Sequence, residues 1–389
     1  MSTTTDIATP IVTARGTTTP PSVGRAVPEA EIDGAPGLMR AVVHDAPGQR
    51  PEVREIPVPS VPPGAVRVAV TATGVCRSDW HAWVGHDPVP MPHVPGHELV
   101  GLVEAVGEGV RRWHGGERVT VPFVCGCGVC ETCVEGDPQV CPHQTQPGFT
   151  HDGSFAERVL LHAADTNLVV VPETLDDVEA AALGCRFATA YRALTTHGAL
   201  RAGQWVAVHG AGGVGTSALV IARALGARVV AVDTAEAALS HARRLGADAV
   251  VPAAGLTPTQ VADAVIEATG GGAHVGIDAI GHPRAALASV LGLRRRGRHV
   301  QAGLLLGDAS TPPLPMDRVV AWELSIHGTH GLAAADYPAM LDLAARLDLR
   351  ALVGRVIGLT DAPAALVAMG EPVTEPGMTV IDLRIPSPS

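Results

Sequence analysis

An α/β fold, a doubly wound parallel sheet paired with a mainly β unit, is what this sequence predicts. Three observations predict it. The pattern changes near residue 203: before it, short Val-rich runs are broken by Gly and Pro, and after it, apolar strands alternate with helix-periodic segments. The 389 residues suit two or three domains at about 150 residues each. The composition, 46% hydrophobic and 17% charged, is that of a globular chain able to bury a large core.

The first 38 residues are rich in Thr and Pro and lack the basic start and apolar core of a secretion signal, so they read as a flexible extension. Strand-like AVVHD follows Met39 and Arg40, then VRVAVTATG at 66–74 and ELVGLVEAVG at 98–107, the marks of a barrel or sandwich-like unit. WVAVHG (205–210), ARVVAVD (227–233), DAVV (248–251), VGIDAIG (275–281) and RHVQAG (298–303) read as strands of the parallel sheet. Helices are expected between them at 216–226, 235–246, 261–270 and 283–292. The segment 331–389 mixes helix with Val/Ile strand (MTVIDLRI).

All 28 basic side chains are Arg, against 39 acidic ones, for a net charge of −11. That balance argues against a nucleic-acid backbone or an anionic lipid surface as partner. No run of about 18 uncharged apolar residues suggests a membrane helix. A cytoplasmic protein without nucleic-acid or membrane partners is the expectation.

Gly210-Ala211-Gly212-Gly213-Val214-Gly215 follows a predicted strand and opens a predicted helix, and the next strand ends in Asp233. In that context the glycines have distinct tasks. Gly210 makes a tight turn, Gly212 lets backbone approach a pyrophosphate, and Gly215 allows close helix–strand packing. The helix N-terminus offers unpaired N–H groups to phosphate. Asp233 can accept from a ribose diol and would repel a 2′-phosphate, which favours NAD over NADP.

Seven cysteines occur. Cys127, Cys130, Cys133 and Cys141 form C-x2-C-x2-C-x7-C, a spacing that closes a tetrahedral thiolate shell around a structural zinc ion; an iron–sulfur cluster is the competing reading. Cys125 stands outside the set as a bystander thiol or an alternative ligand. Cys76 and Cys185, with His97 between them, suit a catalytic zinc with three protein ligands and one open position, but distant cysteines are also ordinary buried residues.

Taken together, GVCRSDWH at 74–81, GHE at 96–98, the four-cysteine run, GCRFATAY at 184–191 and GAGGVG at 210–215 resemble the zinc-dependent medium-chain alcohol dehydrogenases, in the family's order. The resemblance covers about 39–389. It implies a GroES-like catalytic domain at 39–186, a Rossmann NAD domain at 187–330 and a return to the catalytic domain at 331–389, with the active site between the domains. It implies two zinc ions per chain, the catalytic one held by Cys76, His97 and Cys185. Ser78 and His81 would relay a proton, Asp79 would orient His97, and Glu98 would support the ion or replace water on it. Arg77 would clamp the pyrophosphate, Thr189 would approach the nicotinamide, and Phe123 and Trp83 would wall the substrate pocket. Where relatives carry a basic residue after the Gly of the final strand, this chain has Met378 after Gly377, with Arg384 as the only nearby candidate to replace it. The implied activity is reversible NAD-linked oxidation of a primary or secondary alcohol in a homodimer or homotetramer. A polyol or formaldehyde dehydrogenase of the same superfamily and a zinc-ribbon interaction protein are the alternatives.

Overall fold

The computed structural model of the chain describes residues 37–371 and 376–386. The expected N-terminal extension lies outside the described residues up to position 36. Fifteen strands occur among the described residues: β1 (Leu38–Val43), β2 (Glu52–Pro57), β3 (Val66–Val75), β4 (Glu98–Val106), β5 (Arg118–Thr120), β6 (Arg158–Leu161), β7 (Val169–Val170), β8 (Trp205–His209), β9 (Arg228–Asp233), β10 (Ala249–Pro252), β11 (Ala273–Asp278), β12 (Leu293–Gln301), β13 (Ser325–Gly328), β14 (Val353–Ile357) and β15 (Met378–Asp382).

Two sheets organise the chain. The first runs β14-β15-β3-β4-β5-β7, with β6 also paired to β3. Most of its pairs are antiparallel, and β3 alternates buried and half-buried residues over its first half, as a one-sided sheet should. The last strand, β15, pairs antiparallel with β3 from Thr379↔Val75 to Asp382↔Ala72, so the C-terminal segment returns to this sheet, while β1 and β2 pair with each other in a separate two-stranded antiparallel sheet.

The second sheet is parallel throughout, in the order β10-β9-β8-β11-β12-β13. Its central strand, β8, is buried at every residue, because helices cover both faces. Helix Gly213–Ala224 follows it directly and turns Ala218, Leu219 and Ala222 into the core. Helix Pro258–Thr269 shows how local chemistry sets the bounds. Thr257 and Gln260 form a capping box, Pro258 occupies the first turn, and Gly270 ends the helix at φ 68°. The order reverses between β8 and β11, which places a crevice outside their carboxyl ends, where Gly210 and Asp278 lie. No helix of the described residues is long and apolar enough to cross a membrane.

Candidate active site and metal centres

Register brings two of the three distant ligands together. Gly74 on β3 pairs with Glu98 on β4, so Cys76, two residues past Gly74, and His97, one before Glu98, leave the sheet at the same end. Gly96 makes the approach to His97 possible. Its φ is 105°, and a Cβ there would sit 2.4 Å from a Phe155 ring carbon. The third candidate, Cys185, lies in a π-helical turn, Leu183–Phe187. The buried Tyr337 hydroxyl donates to the Gly184 carbonyl at 3.0 Å, so the C-terminal segment braces that turn.

One donor atom from each of Cys76, His97 and Cys185 lies within 4.8 Å of the others, and all three residues are buried. Asp79 sets the imidazole. Its Oδ2 accepts from the Cys76 N–H at 2.9 Å, while Oδ1 accepts from the Gly96 N–H at 3.1 Å and from His97 Nδ1 at 2.9 Å. Nδ1 is therefore the protonated nitrogen and Nε2 is left as a lone-pair donor. Nε2 is buried with no hydrogen-bond partner. An orphaned imidazole nitrogen beside two thiols is a poor arrangement for the protein alone and a good one around zinc. The Cys185 thiol and His97 draw the Cys76 thiol well below its ordinary pKa, and Cys185 rises in turn.

Glu98 and Arg186 lie behind this cluster. The Arg186 backbone N–H and Nε each donate to Glu98 Oε1 at 3.0 Å, and Nη2 donates to Oε2. Burial raises the Glu98 pKa against the opposing pull of the guanidinium. Ser78 Oγ is 3.8 Å from Cys76 Sγ. His81 Nδ1 meets His86 Nδ1 at 3.1 Å, and burial, His86 and Arg77 lower the His81 pKa. The Phe149 and Phe123 rings flank His97 at 5.1 and 6.0 Å, and His330 stands edge-on to Phe123 at 5.2 Å.

The second cluster is local. Donor atoms of Cys127, Cys130, Cys133 and Cys141 all lie within 4.8 Å of one another. Backbone N–H groups of Cys127 and His143 donate to Cys141 Sγ at 3.5 and 3.3 Å, the support a thiolate shell needs. Cys125 stays out of the set: it is buried, its thiol donates to the Pro122 carbonyl, and burial pushes its pKa up to about 12.

The glycine loop is shaped for a phosphate ligand. A Cβ on Gly215 would fall 1.7 Å from the Gly210 carbonyl oxygen, so this position excludes any side chain, whereas a Cβ on Gly212 would meet open space. Val214 lies in the first turn of helix Gly213–Ala224. Asp233 braces the loop, with Oδ2 accepting from the Ala211 N–H at 2.8 Å and Oδ1 from the Ala235 N–H at 2.9 Å. Each oxygen keeps a lone pair for a ribose hydroxyl.

Other expected residues are placed less tightly. Thr189 is buried in helix Ala188–Arg192, immediately after the Cys185 turn. Arg77 is exposed and stacks on Trp80 at 5.2 Å. Trp83 is buried and its indole N–H donates to the Gln49 carbonyl at 2.6 Å, a packing role with no contact to the ligand cluster among its hydrogen bonds. Arg384 is engaged by Asp382 and by Asp177 at 2.9 Å. Met378 is buried. Arg186, Tyr337 and Phe149 were not singled out from sequence. Arg186 alone carried a signal, a large cation directly beside a ligand cysteine.

A parallel nucleotide-binding sheet beside a Cys₂His cluster and a four-cysteine lobe is the architecture of a two-domain dehydrogenase. Residues 62–173 match the alcohol dehydrogenase GroES-like domain family and residues 213–346 the zinc-binding dehydrogenase family. An alcohol dehydrogenase from Geobacillus stearothermophilus is 35% identical over 318 residues, 81% of this chain and 91% of the relative. The crystal structure of an alcohol dehydrogenase from Escherichia coli CFT073 complexed with NADH superposes with a TM-score of 0.79 at 26% identity, covering 89% of this chain and 99% of that one. A zinc-binding dehydrogenase from Sinorhizobium meliloti 1021 bound to NADP does so at 0.78 and 26%, with the same coverage. The chain belongs to the zinc-dependent medium-chain dehydrogenase family.

Proposed function

We propose that this protein is an NAD-dependent zinc alcohol dehydrogenase that interconverts a primary or secondary alcohol with its aldehyde or ketone. The observation that carries the reading is the buried meeting of Cys76, His97 and Cys185, with His97 Nε2 unpartnered and only three protein donors supplied. Three donors leave a tetrahedral ion one corner for substrate. The cysteine set at 127–141 supplies four donors and no such corner, so its ion is structural.

Bound zinc supplies Lewis acidity toward an alcohol or carbonyl oxygen, and the dinucleotide supplies the hydride acceptor or donor. The chain's own residues do the rest. Asp79 fixes the His97 tautomer, and Glu98 with Arg186 closes the cluster from behind. Ser78, whose Oγ is 3.8 Å from Cys76 Sγ, is assigned to take the substrate proton, and His81 to pass it on to solvent by way of the cofactor ribose. The lowered pKa of His81 keeps its ring neutral near pH 7 and able to accept. Phe123 and Phe149 set apolar rings beside His97, which suits an alkyl or aryl substrate arm. We assign self-association to the β13 end of the parallel sheet, where Ile326 of the strand and Met316 and Val320 of the preceding helix Met316–Ala321 are exposed.

Asp233 favours NAD, since a 2′-phosphate would bring a second anion against its carboxylate. The test is a panel of primary, secondary and aromatic alcohols assayed with each cofactor. NAD should be preferred, and Asp233→Gly should relax the preference toward NADP. Equal selectivity before and after that change would remove Asp233 from cofactor choice.

A further inference from the structure

Arg186 follows the ligand Cys185 directly, and its side chain is only 7% exposed. One edge of its guanidinium is used up. Nε and Nη2 close a fork on the Glu98 carboxylate, and the backbone N–H adds a third bond to Oε1. Its stem lies on the phosphate loop: a Cβ built on Gly213 would fall 2.4 Å from Arg186 Cδ and 3.4 Å from Nε. Gly213 is the first residue of helix Gly213–Ala224, so the guanidinium is held at that helix's N-terminus. Its other edge, Nη1, makes no hydrogen bond to any of the described residues. Helix dipole and free guanidinium edge both call for an anion at that point, and Glu98 does not supply it from the opposite side. Of the other cations named for the task, Arg77 is exposed and stacks on the Trp80 ring at 5.2 Å. Arg384 is held by Asp382 and Asp177, and position 378 is an uncharged, buried Met.

We propose that Arg186 is a cofactor-binding residue whose Nη1 edge grips the dinucleotide pyrophosphate while its Nε–Nη2 edge holds Glu98 behind the metal ligands. The inference rests on the dehydrogenase reading above and goes one residue beyond it. One planar guanidinium thereby links the phosphate loop to the ligand cluster. A two-sided role of this kind requires Arg, because Lys has a single ammonium and cannot present two separate donor edges. Cofactor binding and the position of Glu98 should respond together to any change at this site.

Removing Arg186 alone would strand a buried carboxylate and invite unfolding. The comparison is therefore Glu98→Gln against the double variant Glu98→Gln/Arg186→Gln, both loaded with zinc. Calorimetry measures adenosine, which lacks the pyrophosphate, and ADP-ribose and NAD, which carry it; zinc content and thermal unfolding are read in parallel. Loss of one charge-assisted bond predicts ADP-ribose and NAD affinities lower by roughly 10- to 100-fold in the double variant, with adenosine affinity unchanged. Should that variant not fold, Glu98→Gln/Arg186→Lys gives the same contrast, with a smaller loss for ADP-ribose and none for adenosine. Equal ADP-ribose affinity with and without Arg186, or an equal loss for adenosine, overturns the inference while leaving the dehydrogenase reading intact. Failure of the wild-type protein to bind ADP-ribose or NAD at all overturns both.

Discussion

The sulfurs of Cys127, Cys130, Cys133 and Cys141 come from one short stretch, and three of those residues are partly open to solvent. The donors of Cys76, His97 and Cys185 come from three separate stretches and are buried. In the first cluster the loop carries all four donors itself and has little core of its own, since few apolar side chains are buried between 127 and 141, so an ion bound there would hold its shape. In the second, the fold holds the ligands. β3 and β4 align two of them, Asp79 fixes the imidazole, and Tyr337 braces the turn of the third. The difference teaches what each donor set is suited to: four local donors can close a shell that stabilises, and three donors assembled by the fold leave a corner for substrate.

The largest expected effect separates the clusters outright. Cys76→Ala should abolish turnover and leave one zinc per chain, with the thermal transition of the body little changed and dinucleotide binding still measurable. Cys130→Ala should also leave one zinc, but it should loosen the lobe, seen as rapid hydrogen exchange and early proteolysis between 127 and 141. Retained turnover in the first variant, or an intact lobe in the second, would break the contrast.

Asp79→Asn tests how much the surrounding fold contributes. It keeps the shape of the side chain but loses the charge that holds His97 Nδ1–H, and should weaken zinc binding at the cleft by about 10- to 100-fold. Chelator competition reads this directly, and the four-cysteine ion should be unaffected.

Acid sharpens the contrast from another side. Residues 127–141 contain no His, whereas the body buries several. Burial pushes His93 and His151 down to about 4 and His209 to about 3. Unfolded, each takes up its proton near pH 6.5. Between those values the unfolded chain binds more protons, so stability falls as pH drops from about 6.5 toward 4, by about 1.4 kcal/mol per pH unit for each such histidine. Urea unfolding across this range should show the slope, and His209→Leu should reduce it by about one proton. An unchanged slope would mean that His209 is protonated in the folded state.

The smallest effect expected is on the proton path. His81→Gln should slow turnover by less than the roughly 100-fold of a directly acting base and remove the inflection that His81 protonation places on the acid limb of the rate profile. An unaltered profile would exclude His81 from the relay.

The local features of the chain were legible in its sequence. Val-rich runs broken by Gly and Pro marked β3 and β4, GAGGVG marked the turn into the helix after β8, and cysteine spacing marked the lobe. Boundaries slipped where side-chain pattern gives no warning. β12 starts at Leu293, five residues before the expected RHVQAG, because Leu293 already pairs with Ala273 and the extra residues before the Val275↔Arg298 pair are taken up in an irregularity where Arg296 turns to φ 60°. Helix Gly213–Ala224 begins inside the glycine run, since Gly212 is its cap. Residues 183–197 pass through two π-helical turns that no helical period reveals. The residue types of the buried Cys₂His cluster allowed a zinc reading beside that of ordinary buried cysteines, and the resemblance decided between them, because nothing in the spacing of 76, 97 and 185 states that they meet. The Arg186–Glu98 fork and the Tyr337 brace are contacts across long sequence separations, which no local pattern states.

The most direct test is anomalous diffraction at the zinc edge from crystals of the zinc-loaded protein. Two peaks per chain are expected: one among the four lobe sulfurs, and one bonded to Cys76 Sγ, His97 Nε2 and Cys185 Sγ with a fourth, non-protein ligand. A cleft without a peak, or an ion there whose fourth bond comes from a protein side chain that substrate cannot displace, would contradict the account.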